Sequence, residues 1–352
     1  MRNKILFFVC IFLNMSAEAQ TFNFNSINYN IIDLLNFKVE IGSNQGYVGV
    51  ANIPATVSFN NQAYQVTQIG SSAFQYCSGL TSVTIPNSIT TIWGYAFQYC
   101  SSLTSVTIPD SVTTIGYAAF SYCSSLTSVT LPNYITSIED FIFRNCSSLT
   151  TVTIPNSVIY IQNSAFSNCS ALNSVIIPNS VTTIRSSAFV NCSSLTSITI
   201  PNSIISIESY AFYDCSSLTT VNCDIINPLT INANVFGNVN QNTCALNVNP
   251  ASATAYQTAP VWQNFNPING VLINNSFVKN SFYIYPNPTN DIVNITLENN
   301  SELEKVTIYN QLGKVLKTSS NNIIPVSELA SGTYLVEVVT NKGKATKTLL
   351  IK

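Results

Sequence analysis

A 23-residue repeat in the centre of this chain constrains its fold more than any other feature. Seven cysteines recur at that interval, and seven leucines and seven phenylalanines keep the same spacing. The cysteines are Cys77, Cys100, Cys123, Cys146, Cys169, Cys192 and Cys215. A fixed period of this length is typical of a solenoid, in which each repeat forms one turn that packs against its neighbours.

Each repeat has two halves with different patterns. Residues 81–85 read T-S-V-T-I, and this alternation of β-branched residues favours a short strand that ends at Pro86. In stacked turns, such strands form a parallel sheet with neighbours about 4.8 Å apart, with Val and Ile inside and Ser and Thr outside. The second half places Ile92, Ala96 and Cys100 at roughly helical spacing and predicts a short helical turn.

The repeated residues resemble those of a known family. The strand half, Leu80-x-x-Val83-x-Ile85, resembles a leucine-rich repeat, and the whole unit, with its AF..C segment, resembles the BspA-like subfamily of bacterial surface proteins. The resemblance covers about residues 66–222 and implies a leucine-rich repeat solenoid. It also implies a protein that works by binding.

The flanks of the repeats differ from them, as the ends of a solenoid must, because a terminal turn has one uncovered apolar face. Residues 20–65 contain the alternating stretches KVEI, YVGV and ATVSF, which predict an N-terminal β cap rich in hairpins. At the other end, Ile231 and Phe236 keep the spacing of a repeat without its cysteine. Residues 223–265 are therefore predicted to be a degenerate last repeat and a C-terminal cap. Its aromatic residues Tyr256, Trp262 and Phe265 would cover the open end.

A second domain is predicted after a linker at residues 266–280. Eight of the thirteen basic residues lie beyond residue 278, and the repeat stops. Residues 281–352 alternate as in a small immunoglobulin-like β-sandwich, so the predicted fold class is mainly β, with a solenoid followed by a sandwich. This segment, including Tyr285-Pro286-Asn287-Pro288, resembles the C-terminal sorting domain of the type IX secretion system. The resemblance implies the type IX machinery as a partner and export across the outer membrane of a Bacteroidetes-like cell.

Residues 1–19 have the pattern of a cleaved secretory signal peptide. A basic start is followed by an apolar run of about a dozen residues and by the small residues Ala17 and Ala19. The run is shorter than the roughly 20 residues of a spanning helix, so no transmembrane segment is predicted. We expect a secreted protein or one on the outer cell surface.

Composition excludes several functions. Charged residues make up 8% of the chain, against about 25% in a typical soluble protein, and the net charge is -2. Nucleic acid is therefore not expected as a partner, because it requires a basic surface. The chain contains no histidine, which removes His bases, His metal ligands and His-activated nucleophiles.

Catalysis by carboxylates requires a pair within reach of each other. Glu139 and Glu208 occupy equivalent positions three turns apart, which corresponds to about 15 Å. Glu139 and Asp140 are adjacent, and their side chains are expected to diverge; Asp110 and Asp214 are the other acidic residues of the repeats. We therefore expect no enzyme and no cofactor.

The row of cysteines supplies one thiol per turn, and a straight row does not converge on a metal ion. Disulfides between turns remain an alternative, but buried reduced thiols are the preferred interpretation. Outside the row, Cys223 and Cys244 form either one disulfide or two free thiols.

Two exposed rows are candidate ligand contacts. Tyr76, Tyr99 and Tyr122 precede the cysteine in three successive turns, and exposed tyrosines bind sugars or peptides. The second row consists of Thr84, Thr107 and Thr130 on the outer side of the strands. The chain is interpreted as a binding or adhesion protein with an unknown protein or glycan ligand. The alternatives are an accessory part of an extracellular enzyme and a structural or ice-binding array.

One modification site is predicted as well. Asp110-Ser111-Val112 resembles the short O-glycosylation acceptor of Bacteroidetes exported proteins, and it follows a proline that ends a strand. Ser111 is therefore a candidate for O-glycosylation.

Overall fold

The structure is a computed structural model that describes residues 20–270, 282–297, 302–310, 314–340 and 343–352. The predicted signal peptide and residues 271–280 of the predicted linker lie outside these ranges. Within them the regular secondary structure is almost entirely β-strand, and the one α-helix is α1, Ala253–Thr258. Short 3-10 helices span Gln241–Thr243, Pro250–Ser252 and Trp262–Asn264. In the described part of the chain, no helix has the length and apolar character needed to cross a membrane.

Six strands precede the first repeat. They are β1 (Thr21–Phe24), β2 (Ile27–Asp33), β3 (Lys38–Ile41), β4 (Val48–Asn52), β5 (Thr56–Phe59) and β6 (Gln62–Ile69). Strands β1, β2 and β3 pair antiparallel, β5 pairs antiparallel with β6, and β6 runs parallel to β3. Because β6 also pairs with the first repeat, through Ile69 opposite Ile92, this N-terminal sheet is continuous with the solenoid.

The repeats contribute strands alternately to two parallel ladders. They are β7 (Gly79–Thr84), β8 (Thr91–Ile92), β9 (Ser105–Thr107), β10 (Thr114–Ile115), β11 (Ser128–Thr130), β12 (Ser137–Ile138), β13 (Thr151–Thr153), β14 (Tyr160–Ile161), β15 (Ser174–Ile176), β16 (Thr183–Ile184), β17 (Ser197–Ile200), β18 (Ser206–Ile207) and β19 (Thr220–Cys223). Odd-numbered strands build the first ladder, and even-numbered strands build the second. Val129 lies opposite Val106 and Val152, so the register equals the sequence period. These valines are buried, which confirms their predicted inward position.

The predicted helical turn is wrong. Ile92, which was assigned to it, lies in the second ladder, and the rest of this half is a series of tight turns. Tyr95 and Tyr99 have φ values of 60° and 62°, and residues in this left-handed region interrupt a right-handed helix. Between them, the Phe97 N–H donates to the Ala119 carbonyl of the next turn at 2.8 Å. Contacts between turns therefore replace contacts within a helix.

A column of stacked phenylalanines runs along the core. The members are Phe74, Phe97, Phe120, Phe143, Phe166, Phe189, Phe212 and Phe236. Neighbouring ring centroids lie 5.1 to 5.8 Å apart. Tyr47 contacts one end of the column edge-on, and Trp262 and Phe265 contact the other. The predicted cover of the open end is confirmed, and Val239 occupies the place of the missing cysteine in the last turn.

Beside the phenylalanines, the cysteines form a ladder of hydrogen bonds. Cys77 donates to the Asn44 carbonyl at 3.0 Å, and from Cys100 onward each Sγ donates to the carbonyl of the phenylalanine one turn earlier, as from Cys146 to Phe120 at 3.2 Å. All seven thiols of the row are free and buried, so the preferred interpretation is confirmed. Burial raises the pKa of these thiols, and for Cys215 it raises the pKa to about 12.

The end of the solenoid lies further along the chain than predicted. Strand β20 (Ala245–Val248) and strand β21 (Ile268–Gly270) continue the first ladder after β19. The Asn247 amide donates to the Asn222 side chain at 2.8 Å, and the Asn269 amide donates to Asn247 at 3.0 Å. Residues 268–270, predicted as linker, are therefore held by backbone pairing and by a ladder of amides.

The C-terminal segment forms two sheets around one separate core. Its strands are β22 (Phe282–Tyr285), β23 (Ile292–Leu297), β24 (Leu303–Tyr309), β25 (Val315–Ser319), β26 (Ile323–Pro325), β27 (Gly332–Thr340) and β28 (Gly343–Ile351). The sheets have the orders β22-β23-β26 and β25-β24-β27-β28, and both contribute to the core. The Asn287 amide pairs with the backbone of β28, donating to the Thr348 carbonyl at 2.8 Å and accepting from the Leu350 N–H at 2.9 Å. The predicted fold class is confirmed.

The first prediction tests the core. We expect Leu126→Asp to lower the free energy of unfolding by at least about 4 kcal/mol, because it places an unpaired charge at a fully buried position. Ser128→Asp, two residues away on the exposed side of β11, should change it by less than about 1 kcal/mol. Urea unfolding of both variants checks this. A Leu126→Asp variant as stable as the parent would show that the core is assigned incorrectly.

The second prediction concerns pH. In the unfolded chain the thiols ionise near pH 8.5, whereas their folded pKa is higher, so the unfolded state loses protons first. The stabilisation is complete below the unfolded pKa and is lost as the pH rises toward the folded values. Each thiol should lower stability by about 1.4 kcal/mol per pH unit in that window. Urea unfolding at a series of pH values from neutral to about pH 10 measures the slope.

A matched variant isolates the thiols from the tyrosines, which also ionise at high pH. Replacing Cys146 and Cys169 with Ser keeps a donor for each Phe carbonyl but removes two ionisable groups. Its stability should fall less steeply above pH 8.5 than that of the parent. Equal slopes for the two proteins would contradict the prediction.

Candidate functional site

The three predicted tyrosines form one stack on the turn side of the solenoid. The rings of Tyr76 and Tyr99 lie 4.8 Å apart, and those of Tyr99 and Tyr122 lie 4.4 Å apart, with interplanar angles of 9° and 21°. Because the rings cover one another's faces, the stack presents edges and hydroxyls to solvent, together with the outer face of Tyr76, which is 56% exposed. Desolvation and the neighbouring Tyr122 raise the pKa of Tyr99 above its ordinary value.

The backbone of these tyrosines is in an unfavourable conformation. All three have a φ of 62°, in the left-handed region that costs most residues about 1 to 2 kcal/mol. Later turns have Asn or Asp at the same position, and these side chains tolerate the conformation: Asn145, Asn168, Asn191 and Asp214. Ring stacking offsets part of the cost, at about 0.5 to 1.5 kcal/mol per pair. Such backbone outliers cluster at functional sites.

A second group of aromatic rings lies in the same turns. Tyr117 lies 5.2 Å from Tyr95 and 5.2 Å from Phe141, measured between ring centroids. The Arg144 guanidinium lies over two rings, 5.9 Å from the centroid of Tyr122 and 5.4 Å from that of Phe141, and joins the two groups. We call this surface the aromatic patch: Tyr76, Tyr95, Tyr99, Tyr117, Tyr122, Phe141 and Arg144.

Sequence reasoning missed two members of the aromatic patch. Tyr117 occupies the repeat position of Gly94, one residue away from the position shared by Tyr95 and Phe141. A comparison of equivalent positions therefore does not show that the three rings touch. Arg144 is one of two arginines in the repeats, and its rarity was the available signal.

The threonine row lies in the other half of the repeat. Thr84, Thr107 and Thr130 are exposed at the ends of β7, β9 and β11, and Thr130 is in register with Thr107. The Thr84 hydroxyl donates to the Asn52 side chain at 3.2 Å. Ile176 takes the equivalent position in β15 and is 68% exposed, so the hydroxyl row is not continuous.

Ser111 is half-buried, and its hydroxyl donates to the Ile89 carbonyl at 2.7 Å. Ser203 makes the equivalent bond to the Val181 carbonyl, also at 2.7 Å. Glycosylation of Ser111 would replace this structural hydrogen bond. The modification stays a prediction.

The two cysteines outside the row do not form the disulfide considered for them. Cys223 and Cys244 are both free and buried. The sulfur of Cys223 lies 3.1 Å from the Tyr256 hydroxyl, which itself donates to the Ile225 carbonyl at 2.8 Å. Burial raises the pKa of each thiol to about 11.

The carboxylates of the repeats hold the backbone of adjacent turns. Asp110 accepts from the Asn133 N–H at 2.8 Å, and Asp140 accepts from the Asn163 N–H at 2.7 Å. Glu208 bonds the preceding turn in a similar way. Across the described ranges, no three His, Cys, Asp or Glu side chains are grouped so as to hold a metal ion.

Two family models match the chain. Residues 55–173 and 136–259, together more than half of the chain, match the BspA type leucine rich repeat region, present in six copies. Residues 283–352 match the secretion system C-terminal sorting domain. That domain directs type IX export, to the cell surface or into the medium. No curated protein matches the chain.

Several solved structures are similar to it. A leucine-rich repeat protein of T. pallidum is 25% identical, with a TM-score of 0.48, over 56% of this chain and 91% of that protein. A leucine-rich repeat protein of Eubacterium ventriosum is 27% identical, with a TM-score of 0.49, over 58% of this chain and 52% of that one. A leucine rich cell surface protein of Faecalibacterium prausnitzii is 24% identical, with a TM-score of 0.37, over 70% of this chain and 93% of that one.

Proposed function

The chain belongs to the BspA type leucine rich repeat family, and we propose that it is a non-catalytic adhesion protein that binds a protein or glycan ligand through the aromatic patch. The main support is the stack of Tyr76, Tyr99 and Tyr122, whose backbone is in the left-handed conformation. Later turns have Asn or Asp at the equivalent position. Folding alone does not require tyrosine there, because the same turn forms with asparagine.

The chemistry of the aromatic patch suits recognition. Tyrosine and arginine are enriched among residues that dominate binding energy, and stacked rings lose little conformational freedom on binding. Arg144 is the one charged member of the aromatic patch, and its guanidinium lies over two of the rings. A ligand with hydroxyl or carbonyl groups would find donors along the whole row of phenols.

The non-catalytic part of the proposal is supported by the carboxylates. Those of Asp110, Asp140 and Glu208 are occupied by hydrogen bonds to neighbouring turns. Catalysis of the glycosidase type needs two free carboxyl groups near each other, and these three are committed to the fold.

The proposal includes the domain organisation. Residues 1–19 act as a cleaved signal peptide, and residues 20–65 act as the N-terminal cap of the repeats at 66–222. The C-terminal cap extends to Gly270, where pairing with β20 ends. The segment that follows is the linker to the sorting domain, which has its own core.

The third prediction tests the aromatic patch. Replacing Tyr76, Tyr99 and Tyr122 with Asn removes the stack and installs the residue that later turns use. We expect the free energy of unfolding to change by less than about 2 kcal/mol, because relief of backbone strain offsets lost stacking. Binding to immobilised extracellular matrix proteins should fall at least tenfold.

The control for this variant is Thr84, Thr107 and Thr130, each replaced with Asn. It introduces the same side chain in three successive turns on the other half of the repeat and should leave binding unchanged. Loss of binding in the threonine variant alone would move the site to the strand surface and refute the proposal.

The fourth prediction concerns the sorting domain. Deleting residues 281–352 should hold the protein in the periplasm of its native host, because these residues carry the export signal. The purified solenoid should keep its melting temperature, since the two segments have separate cores. Cell fractionation and thermal melting measure the two effects. A deleted protein that still reaches the surface would exclude the sorting role, and a large loss of thermal stability would show that the domain supports the solenoid.

A further inference from the structure

The tyrosine stack is the first part of a row of equivalent positions, and the residue type in this row changes halfway along the solenoid. Tyr76, Tyr99 and Tyr122 occupy it in three turns, and Asn145, Asn168, Asn191 and Asp214 occupy it in the next four, all in the same left-handed conformation. The backbone of the row is continuous across the change, since the Tyr122 N–H donates to the Arg144 carbonyl of the next turn at 2.7 Å. The row therefore has an aromatic half and an amide half.

The shorter side chains of the amide half leave an open groove of about 580 Å³. Its lining consists of the four residues of the row and the serine two positions after each of them. Asp214 is the single charged residue of this lining, and its carboxylate accepts a hydrogen bond from the Asn238 amide at 2.8 Å. The groove is thus polar and nearly neutral.

The hydrogen bonds in the groove leave both donors and acceptors for a ligand. The Asn191 amide donates to the Asn168 side chain at 2.6 Å, which orients both groups and leaves the second N–H of Asn191 available. The hydroxyls of Ser170 and Ser193 each donate to the carbonyl of the serine one turn earlier, at 3.3 and 3.4 Å. Their oxygen lone pairs therefore remain free to accept. The serine hydrogen bonds recur from turn to turn, whereas the Asn168 amide donates to the Ser167 hydroxyl at 3.3 Å.

We propose that this groove binds a neutral polysaccharide that lies along the axis of the solenoid, with the tyrosine hydroxyls extending the same site. This inference rests on the binding function proposed above and assigns the class of ligand. Sugar hydroxyls both donate and accept hydrogen bonds, and they recur along the polymer as the amides and serines recur along the groove. The spacing of successive turns, about 4.8 Å, is comparable to the length of one sugar ring.

A peptide ligand fits the groove less well. Peptides are recognised by addition to a sheet edge, by apolar grooves for a helix, by aromatic-lined grooves for proline-rich segments or by clusters of arginines. The lining contains Asn, Ser and Asp, so it has no apolar pocket and no cluster of positive charge. A polyanion is disfavoured as well, because the one charge of the lining is negative.

The test uses the full chain and four soluble probes. The neutral probes are a mixed-linkage β-glucan, an α-mannan and a galactomannan, and alginate serves as the acidic probe. Affinity is measured by gel retardation and calorimetry. At least one neutral probe should bind the parent protein, and alginate should not.

The decisive variant replaces Asn145, Asn168 and Asn191 with Gly, which removes the amides and still permits φ values of 59° to 60°. Its affinity for the neutral polysaccharide should fall at least tenfold, with a melting temperature close to that of the parent. The control replaces Asn156, Asn179 and Asn202 with Ala. These asparagines are exposed and have the same 23-residue spacing outside the groove, and their loss should leave affinity unchanged.

The outcomes separate this inference from the proposed function. If no neutral polysaccharide binds, or if the groove variant binds one as well as the parent does, the groove assignment is wrong. Tyrosine-dependent binding of a protein without polysaccharide binding would overturn the inference and leave the proposed function in place. Binding to neither polysaccharides nor immobilised proteins would refute both.

Discussion

Stacking of equivalent side chains at one turn's spacing is the interaction on which the rest of this structure depends. The phenylalanine rings repeat every 5.1 to 5.8 Å, and from Cys100 onward each cysteine sulfur of the row donates to the Phe carbonyl of the turn before it. The interval from Phe212 to Phe236 is one residue longer than the others, and the two rings still stack at 5.4 Å, so the column accommodates one extra residue at its end. The 23-residue period keeps equivalent side chains in register along the column, and edge-on aromatic residues such as Tyr47 and Trp262 cover its two ends.

The same register makes rows of equivalent positions on the surface. Each turn contains two residues with positive φ, and asparagine is well suited to them. Where tyrosine replaces asparagine, the row becomes a stack of rings, and where asparagine is kept, it becomes a groove. One backbone thus supports two surfaces of different chemistry, and a polymer that follows the axis can contact both.

The low charge of the chain agrees with this arrangement. A row of like charges one turn apart would repel along the solenoid, whereas amides and hydroxyls can bond to each other, as Asn191 bonds to Asn168 and Asn269 bonds to Asn247. The sorting domain carries most of the lysines and has a core of its own. The basic segment is therefore separate from the repeats in composition as well as in packing.

The amino-acid sequence alone determined the solenoid, its inward valines, leucines and phenylalanines, the aromatic end cover and the sorting domain, because each depends on a pattern that recurs or on a close motif. The tertiary structure decided the features that depend on contacts between one turn and the next. The apparent helical spacing of Ile92, Ala96 and Cys100 gave way to tight turns, since hydrogen bonds to the next turn outweighed those within a turn. The contact of Tyr117 with Phe141, the position of Arg144 over two rings and the open amide groove likewise follow from how successive turns lie against each other. These contacts between side chains of different turns form only when the turns are stacked.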